Sequence, residues 1–246
     1  MLPGVLEMGR NALLVAACAA ALAASSGAAQ SSAAPPAAAK PAPPTFRIEG
    51  RLELVEKGRP AADRTLDRTH AAVWYEPAAA AKPGAPLAAV MSTERKQFSP
   101  QVVVVPVGSS VRFPNQDPIL HNVFSVSGRN TFDLGLVGKG PGKSATFREA
   151  GIVRVFCNVH HAMFAHVVVV ATPHFAVPAA DGRFVLEGLP AGSGRLKFWH
   201  ERGEVGERLV TLPATAPLAL QVEITQPRVP PHKNKVGRAY TRGAYE

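Results

Sequence analysis

The chain has 246 residues, 46% of them hydrophobic, and Lys plus Arg outnumber Asp plus Glu by 27 to 18, a formal charge of +9. That length allows one or two domains with their own cores. The charge suits an acidic partner or a membrane surface, and nucleic acid only if the chain stays in the cytoplasm.

The chain opens as an exported protein does. Arg10 precedes the apolar run from Ala12 to Ala24, and small residues follow up to Ala29 and Gln30. Charge, short apolar core and small residues predict a signal peptide over residues 1–29. The run is too short to span a bilayer, so the mature chain is expected to carry no transmembrane span. A periplasmic location follows, and it argues against nucleic acid as partner. A second reading takes Val15-Ala16-Ala17-Cys18 as a lipoprotein cleavage box that leaves Cys18 lipidated. If Cys18 is removed with the signal, Cys157 is the one cysteine of the mature chain and no disulfide can form within it.

Residues 30–44 are Ala, Pro and Ser with one Lys, the composition of a spacer. Phe46 to Leu54 then alternates with period two, as a half-buried strand does, and Ala71 to Glu76 reads as a second strand. Another Ala/Pro/Gly segment, Pro77 to Pro86, marks a loop or boundary. From Gln97 onward, short β-branched runs alternate with Gly/Pro turns. They are Val102 to Val107, Val111 to Phe113, His121 to Val126, Gly151 to Phe156 and Val167 to Val170. No helical period appears, so the central segment is expected to be a β-sandwich or barrel.

Between the last two runs lies Phe156-Cys157-Asn158-Val159-His160-His161-Ala162-Met163-Phe164. Thiolate, imidazole and thioether on one tight loop are a soft donor set, which selects copper. A second imidazole is needed, and His121 in the upstream run is the candidate. His160 or His161 could be the loop ligand; the Cys-x-x-His spacing favours His160, which leaves His161 at the solvent edge or beside the ligands. Met163 could instead be plain core filling. His70, His166, His174 and His200 are expected to be surface or packing residues. Asn122, next to His121, is a candidate to tie the two ligand loops together. The N–H of Val159 could donate to the Cys157 sulfur and raise a copper potential. Catalysis is not expected. A thiol and an imidazole three residues apart without an orienting partner are not a cysteine-protease arrangement, and the His-Cys-His motif of multicopper oxidases is absent.

Taken together, Phe98-x-Pro100, Gly108-x-x-Val111-x-Phe113-x-Asn115-x-Asp117, His121-Asn122-Val123 and Cys157-x-x-His160-x-x-Met163 resemble the cupredoxins. The loop has the compact spacing of the amicyanin type, a group linked by name to methylamine utilisation. The resemblance covers about residues 92–171 and departs at Phe164-Ala165-His166, where Gly/Lys texture is common. It implies a Greek-key β-sandwich holding one type 1 copper and exchanging single electrons with a redox partner. A copper-storing, delivering or sensing protein without redox turnover is the alternative.

Downstream, Asp181-Gly182-x-Phe184-x-Leu186-x-Gly188-Leu189-Pro190-x-Gly192 resembles the carboxypeptidase regulatory-like sandwich, related in form to transthyretin. The expected plan is all-β. Residues 45–91 with 173–225 form a small accessory sandwich around a cupredoxin domain at 92–172. Two unrelated β extensions are the competing plan. Residues 226–246 carry Arg228, His232, Lys233, Lys235, Arg238 and Arg242 among few apolar residues and read as a flexible basic tail. Such a tail could steer docking to an acidic redox partner or anionic lipid.

Overall fold

The structure is a computed structural model that describes residues 44–239 except 64, 80, 81 and 215. The expected signal peptide and lipidation site lie outside the described residues. No helix among the described residues is long and apolar enough to cross a membrane.

Among the described residues, eighteen strands and two single-turn 3-10 helices follow one another. The first five strands are β1 (Phe46–Glu56), β2 (Arg59–Pro60), β3 (Ala71–Pro77), β4 (Ala88–Val90) and β5 (Ser92–Glu94). Next come β6 (Gln97–Ser99), β7 (Val102–Pro106), β8 (Ser110–Asn115), β9 (His121–Ser125), β10 (Phe132–Val137), β11 (Gly140–Thr146), β12 (Gly151–Phe156) and β13 (Phe164–Val170). The last five are β14 (Phe175–Ala176), β15 (Arg183–Leu189), β16 (Gly192–His200), β17 (Gly206–Leu212) and β18 (Leu218–Glu223).

They form four sheets. One has the order β15-β1-β18, with β2 on β1; another has β14-β3-β16-β17. Both are built from strands before residue 78 and after residue 174. The other two, β10-β9-β12-β13-β7 and β11-β8-β5-β6 with β4 on β8, use only the strands between. The architecture is therefore a Greek-key sandwich plus a second β-sandwich. Strand β4 already belongs to the central sheets, pairing with Ser110 to Arg112, so the chain enters them a few residues before the expected position 92.

Each sandwich closes on its own apolar set. Phe98, Val111, Phe113, Val123, Phe147, Val153 and Val155 fill the central one. Ile48, Leu52, Tyr75, Phe184, Leu186, Leu196 and Leu220 fill the other. The period-two pattern of β1 is met, with Ile48, Leu52 and Leu54 turned inward.

Strands β3 and β13 are buried on both faces, which explains their unbroken apolar runs. In β13, Ala165, Val167 and Val169 enter the central core, while Val168 and Val170 face outward. In β3, Val73 and Tyr75 point into the accessory core, while Ala72 and Trp74 point the other way. The outward residues meet in a third apolar cluster with Val102, Val104 and Trp199, and this cluster joins the two sandwiches.

The C-terminal segment differs from the expected flexible tail over its described part. Thr225 and Gln226 N–H groups donate to Arg202 O at 2.9 and 3.0 Å. Val229 packs on the Phe124, Phe156 and Phe164 cluster. His232 stacks on Phe156 at 4.0 Å between ring centroids, with planes 8° apart. Lys235 donates from its backbone N–H to Asn158 Oδ1 (3.0 Å) and from Nζ to Asp133 Oδ2 (2.8 Å). A few apolar and aromatic anchors hold a segment whose composition is otherwise that of a solvated tail.

Candidate metal centre

The centre forms where strand β9 begins and where β12 turns into β13. His121 is the first residue of β9, placed by pairing with Val137. Cys157 directly follows β12, and the loop to Phe164 is cinched by two backbone hydrogen bonds. Cys157 N–H donates to Met163 O (3.1 Å) and Met163 N–H to His160 O (3.0 Å). The Cys-x-x-His-x-x-Met spacing is thus one tight turn.

Three donors converge. Cys157 Sγ lies 3.8 Å from His121 Nδ1 and 3.8 Å from His160 Nδ1. All three ligand atoms lie within 4.8 Å of one another. Metal–sulfur and metal–imidazole bonds of about 2.3 and about 2.0 Å separate the two donor atoms by about 3.7 Å at a trigonal angle and about 3.5 Å at a tetrahedral one. The observed spacing is closer to trigonal. Met163 is buried in the same cluster as Cys157. His161 is exposed beside the loop. His166 and His200 are buried, and both stand outside the triad.

The electrostatics favour a thiolate. Burial pushes the Cys157 thiol up, but His121 and the N–H groups of Asn122, His160 and Val159 outweigh it and hold the thiol below its ordinary value. Asn122 reaches the sulfur through its backbone, while its side chain donates to Asp133 Oδ1 (2.7 Å) and Gly135 O (2.9 Å).

One residue here had no role assigned from the sequence. Asp117 Oδ2 accepts from His121 Nε2 at 2.8 Å. That contact fixes the tautomer and leaves the Nδ1 lone pair facing Cys157. The same carboxylate accepts the N–H groups of Arg95 (2.7 Å) and Lys96 (2.9 Å), whose left-handed backbone (φ 52° and 59°) makes the β5–β6 turn. Burial pushes Asp117 up, yet these donors hold it below the usual carboxylate range. Burial lowers His121, but Cys157 and Asp117 raise it above its ordinary value. Burial, His121 and Lys96 together hold His160 below its own. Asn115 braces the approach, donating from Nδ2 to Ile119 O (2.8 Å) and Val137 O (3.0 Å) and accepting the Asp117 N–H (2.9 Å). The signal for both residues was the Asn-x-Asp pair four to six residues before His121.

No family model and no curated protein matches the chain. Among solved structures it is similar to a purple cupredoxin from Nitrosopumilus maritimus, at 22% identity and TM-score 0.30, over 33% of this chain and 99% of that one. It is similar to a reduced amicyanin variant at 30% identity and TM-score 0.32, over 34% of this chain and 82% of that one. A copper-containing nitrite reductase from Thermus scotoductus aligns at 26% identity and TM-score 0.33, over 39% of this chain and 25% of that one.

Proposed function

We propose that this chain, whose central sandwich is cupredoxin-like, is an exported electron carrier. It would hold one type 1 copper at His121, Cys157, His160 and Met163. The observation that carries the reading is the convergence of Cys157 Sγ with two Nδ1 atoms at 3.8 Å each. Thiolate, two imidazoles and a nearby buried thioether fit copper by softness and by count. When bound, copper supplies a one-electron couple that the donor set tunes.

The chain's residues do the rest. Asp117 holds the His121 proton on Nε2 and so keeps Nδ1 available as a donor. Three N–H groups stabilise negative charge on Cys157 and draw electron density from its sulfur. The cinched loop and the β9 pairing hold the donors still, so little reorganisation accompanies electron exchange. His121 is fully buried, whereas His160 is half-buried with its Nδ1 toward the sulfur. The opposite edge of His160 is the short way out for an electron, toward a redox partner protein.

The export pattern of residues 1–29 supports a periplasmic location. The accessory sandwich of 45–91 with 173–225 is supported by the pairing of β1 with β15 and β18. Among the described residues, His161, His166 and His174 are not part of the donor group of His121, Cys157 and His160, so they lend copper storage no support.

An absorption spectrum of the copper-loaded protein tests the reading. An intense visible thiolate-to-copper band, bleached by ascorbate and restored by air, is expected. A colourless protein that holds only Cu(I) would overturn it. N-terminal sequencing of the exported form should begin at Gln30; Cys18 as the first residue would favour the lipoprotein instead.

A further inference from the structure

A second feature lies beside Met163. The turn that carries Lys96, the loop after Cys157 and the docked C-terminal segment line a concave space of about 330 Å³ that is open to solvent. Ala162, Met163 and Phe164 line it from the loop, Lys96 from the turn and Arg228 from the C-terminal segment. Both cations are exposed, and among the described residues neither has a carboxylate partner within ion-pair distance.

Contacts of the backbone and of neighbouring residues place Lys96 and Arg228 in the chain's path beside the loop. The Lys96 N–H is fixed by the carboxylate that also fixes His121. Arg228 stands between Gln226, whose carbonyl accepts from Arg202 Nε (3.0 Å), and Val229, half-buried against the Phe124, Phe156 and Phe164 cluster. Two exposed cations lining one small concave space next to the donor loop form a receptor for a carboxylate.

We propose that this niche docks an acidic protein: a carboxylate of the electron-transfer partner enters between Lys96 and Arg228 and brings the partner against the Met163 side of the loop. The proposal rests on the electron-carrier reading for the identity of the partner, but not for the binding itself. A protein surface is favoured over anionic lipid because the niche is concave and holds two cations. Lipid recognition uses clusters of about four to eight basic residues beside a helix, and no such helix is present among the described residues. Two positive charges beside the donor loop accelerate encounter with an anion, and salt screens the effect over about 8–10 Å.

The experiment uses the full chain and two anionic probes. Hexacyanochromate, a redox-inert paramagnetic trianion, is added to copper-free, 15N-labelled protein. Broadening of the amides at 96, 162–164, 228 and 229 is expected, and its loss in Lys96→Glu and in Arg228→Glu. Then the copper-loaded Cu(I) protein is oxidised by ferricyanide, one electron passing from Cu(I) to give ferrocyanide and Cu(II). The rate should fall about tenfold in the double variant and with rising salt. Oxidation by the cationic tris-phenanthroline cobalt(III) complex should not slow. Lys96→Gln and Arg228→Gln, checked by melting, give intermediate losses if the effect is charge and not misfolding.

No broadening at these amides, or an equal rate loss in the remote variant Arg208→Glu, overturns the niche. Absent broadening with sedimentation on phosphatidylserine vesicles would replace it with a membrane surface. Intact broadening in a protein that forms no visible copper band would sink the electron-carrier reading and leave the niche standing.

Discussion

The two sandwiches are made of similar strands yet close in opposite ways. The accessory core is closed mainly by apolar side chains, from Ile48 and Leu52 to Leu220 and Val222. The end of the central sandwich buries Thr93, Asn115, Asp117, His121 and Asn122 together. Buried polar groups cost stability unless every one is paired, and paired they hold a single geometry. Here they form a chain that ends on His121: Thr93 Oγ1 donates to Asn115 Oδ1 (2.9 Å), Asn115 supports Asp117, and Asp117 holds His121. One sandwich uses its interior for stability, and the other gives up part of its interior to fix donor atoms.

That contrast can be broken by paired lesions. Cys157→Ser should abolish the visible copper band while shifting the melting temperature of the metal-free protein little. Leu52→Ala should do the reverse, costing about 2–5 kcal/mol in denaturant melts while the folded fraction keeps its band. If both lesions moved both readouts alike, the division of labour would be wrong.

Acid should strike the join between the sandwiches. Burial, with Arg154, His70 and His200 nearby, pushes His166 down to about 3, so it is neutral when folded. The unfolded chain protonates it near pH 6.5, so it binds the extra proton and stability falls as pH drops from about 6.5 toward about 3. The loss is on the order of a few kcal/mol. His70, raised by Glu201 and Asp67 against the effect of burial, works in the opposite sense and offsets part of it. Urea melts at pH 7 and pH 4.5 should show a smaller acid loss in His166→Leu than in the natural chain; equal losses would refute the assignment.

Smaller effects test the polar end. Asp117→Asn keeps an acceptor for the turn but weakens the hold on His121, and copper affinity by competitive titration should fall about 10- to 100-fold. An unchanged affinity would mean that the carboxylate only braces the turn. Val159→Pro removes one N–H from the sulfur, leaving it richer in electron density. The reduction potential in voltammetry should drop; a rise would count against that bond.

Much of this was legible in the residues. The donor loop announces itself because Cys157, His160 and Met163 lie within seven positions, and the strands because apolar runs are punctuated by Gly and Pro. What was hidden depends on contacts distant in the chain. The docked segment is anchored by Val229, Pro230 and His232, too sparse to outweigh a basic composition. Strand β4 is spelled Ala88-Ala89-Val90 in an Ala-rich stretch and is a strand because β8 pairs with it. His166 looks like one more polar residue; that it is buried follows from Trp199, 5.0 Å away on the other sandwich.

The pairing of β1 has a consequence for synthesis and transport. Apart from the two-residue β2 at its end, its partners are β15, which begins at Arg183, and β18, which ends at Glu223. A chain emerging from its N-terminus therefore exposes most of β1 long before β15 or β18 exists, while every strand of the central sandwich appears in one uninterrupted stretch. The donor end can fold and close first, with β1 waiting as an open edge. The waiting strand carries Arg47, Glu49, Arg51 and Glu53 on alternate positions, charges of the kind that keep an open edge from pairing with another chain. Maturation would then run from the middle outward, with the accessory sandwich closing last around a centre already built.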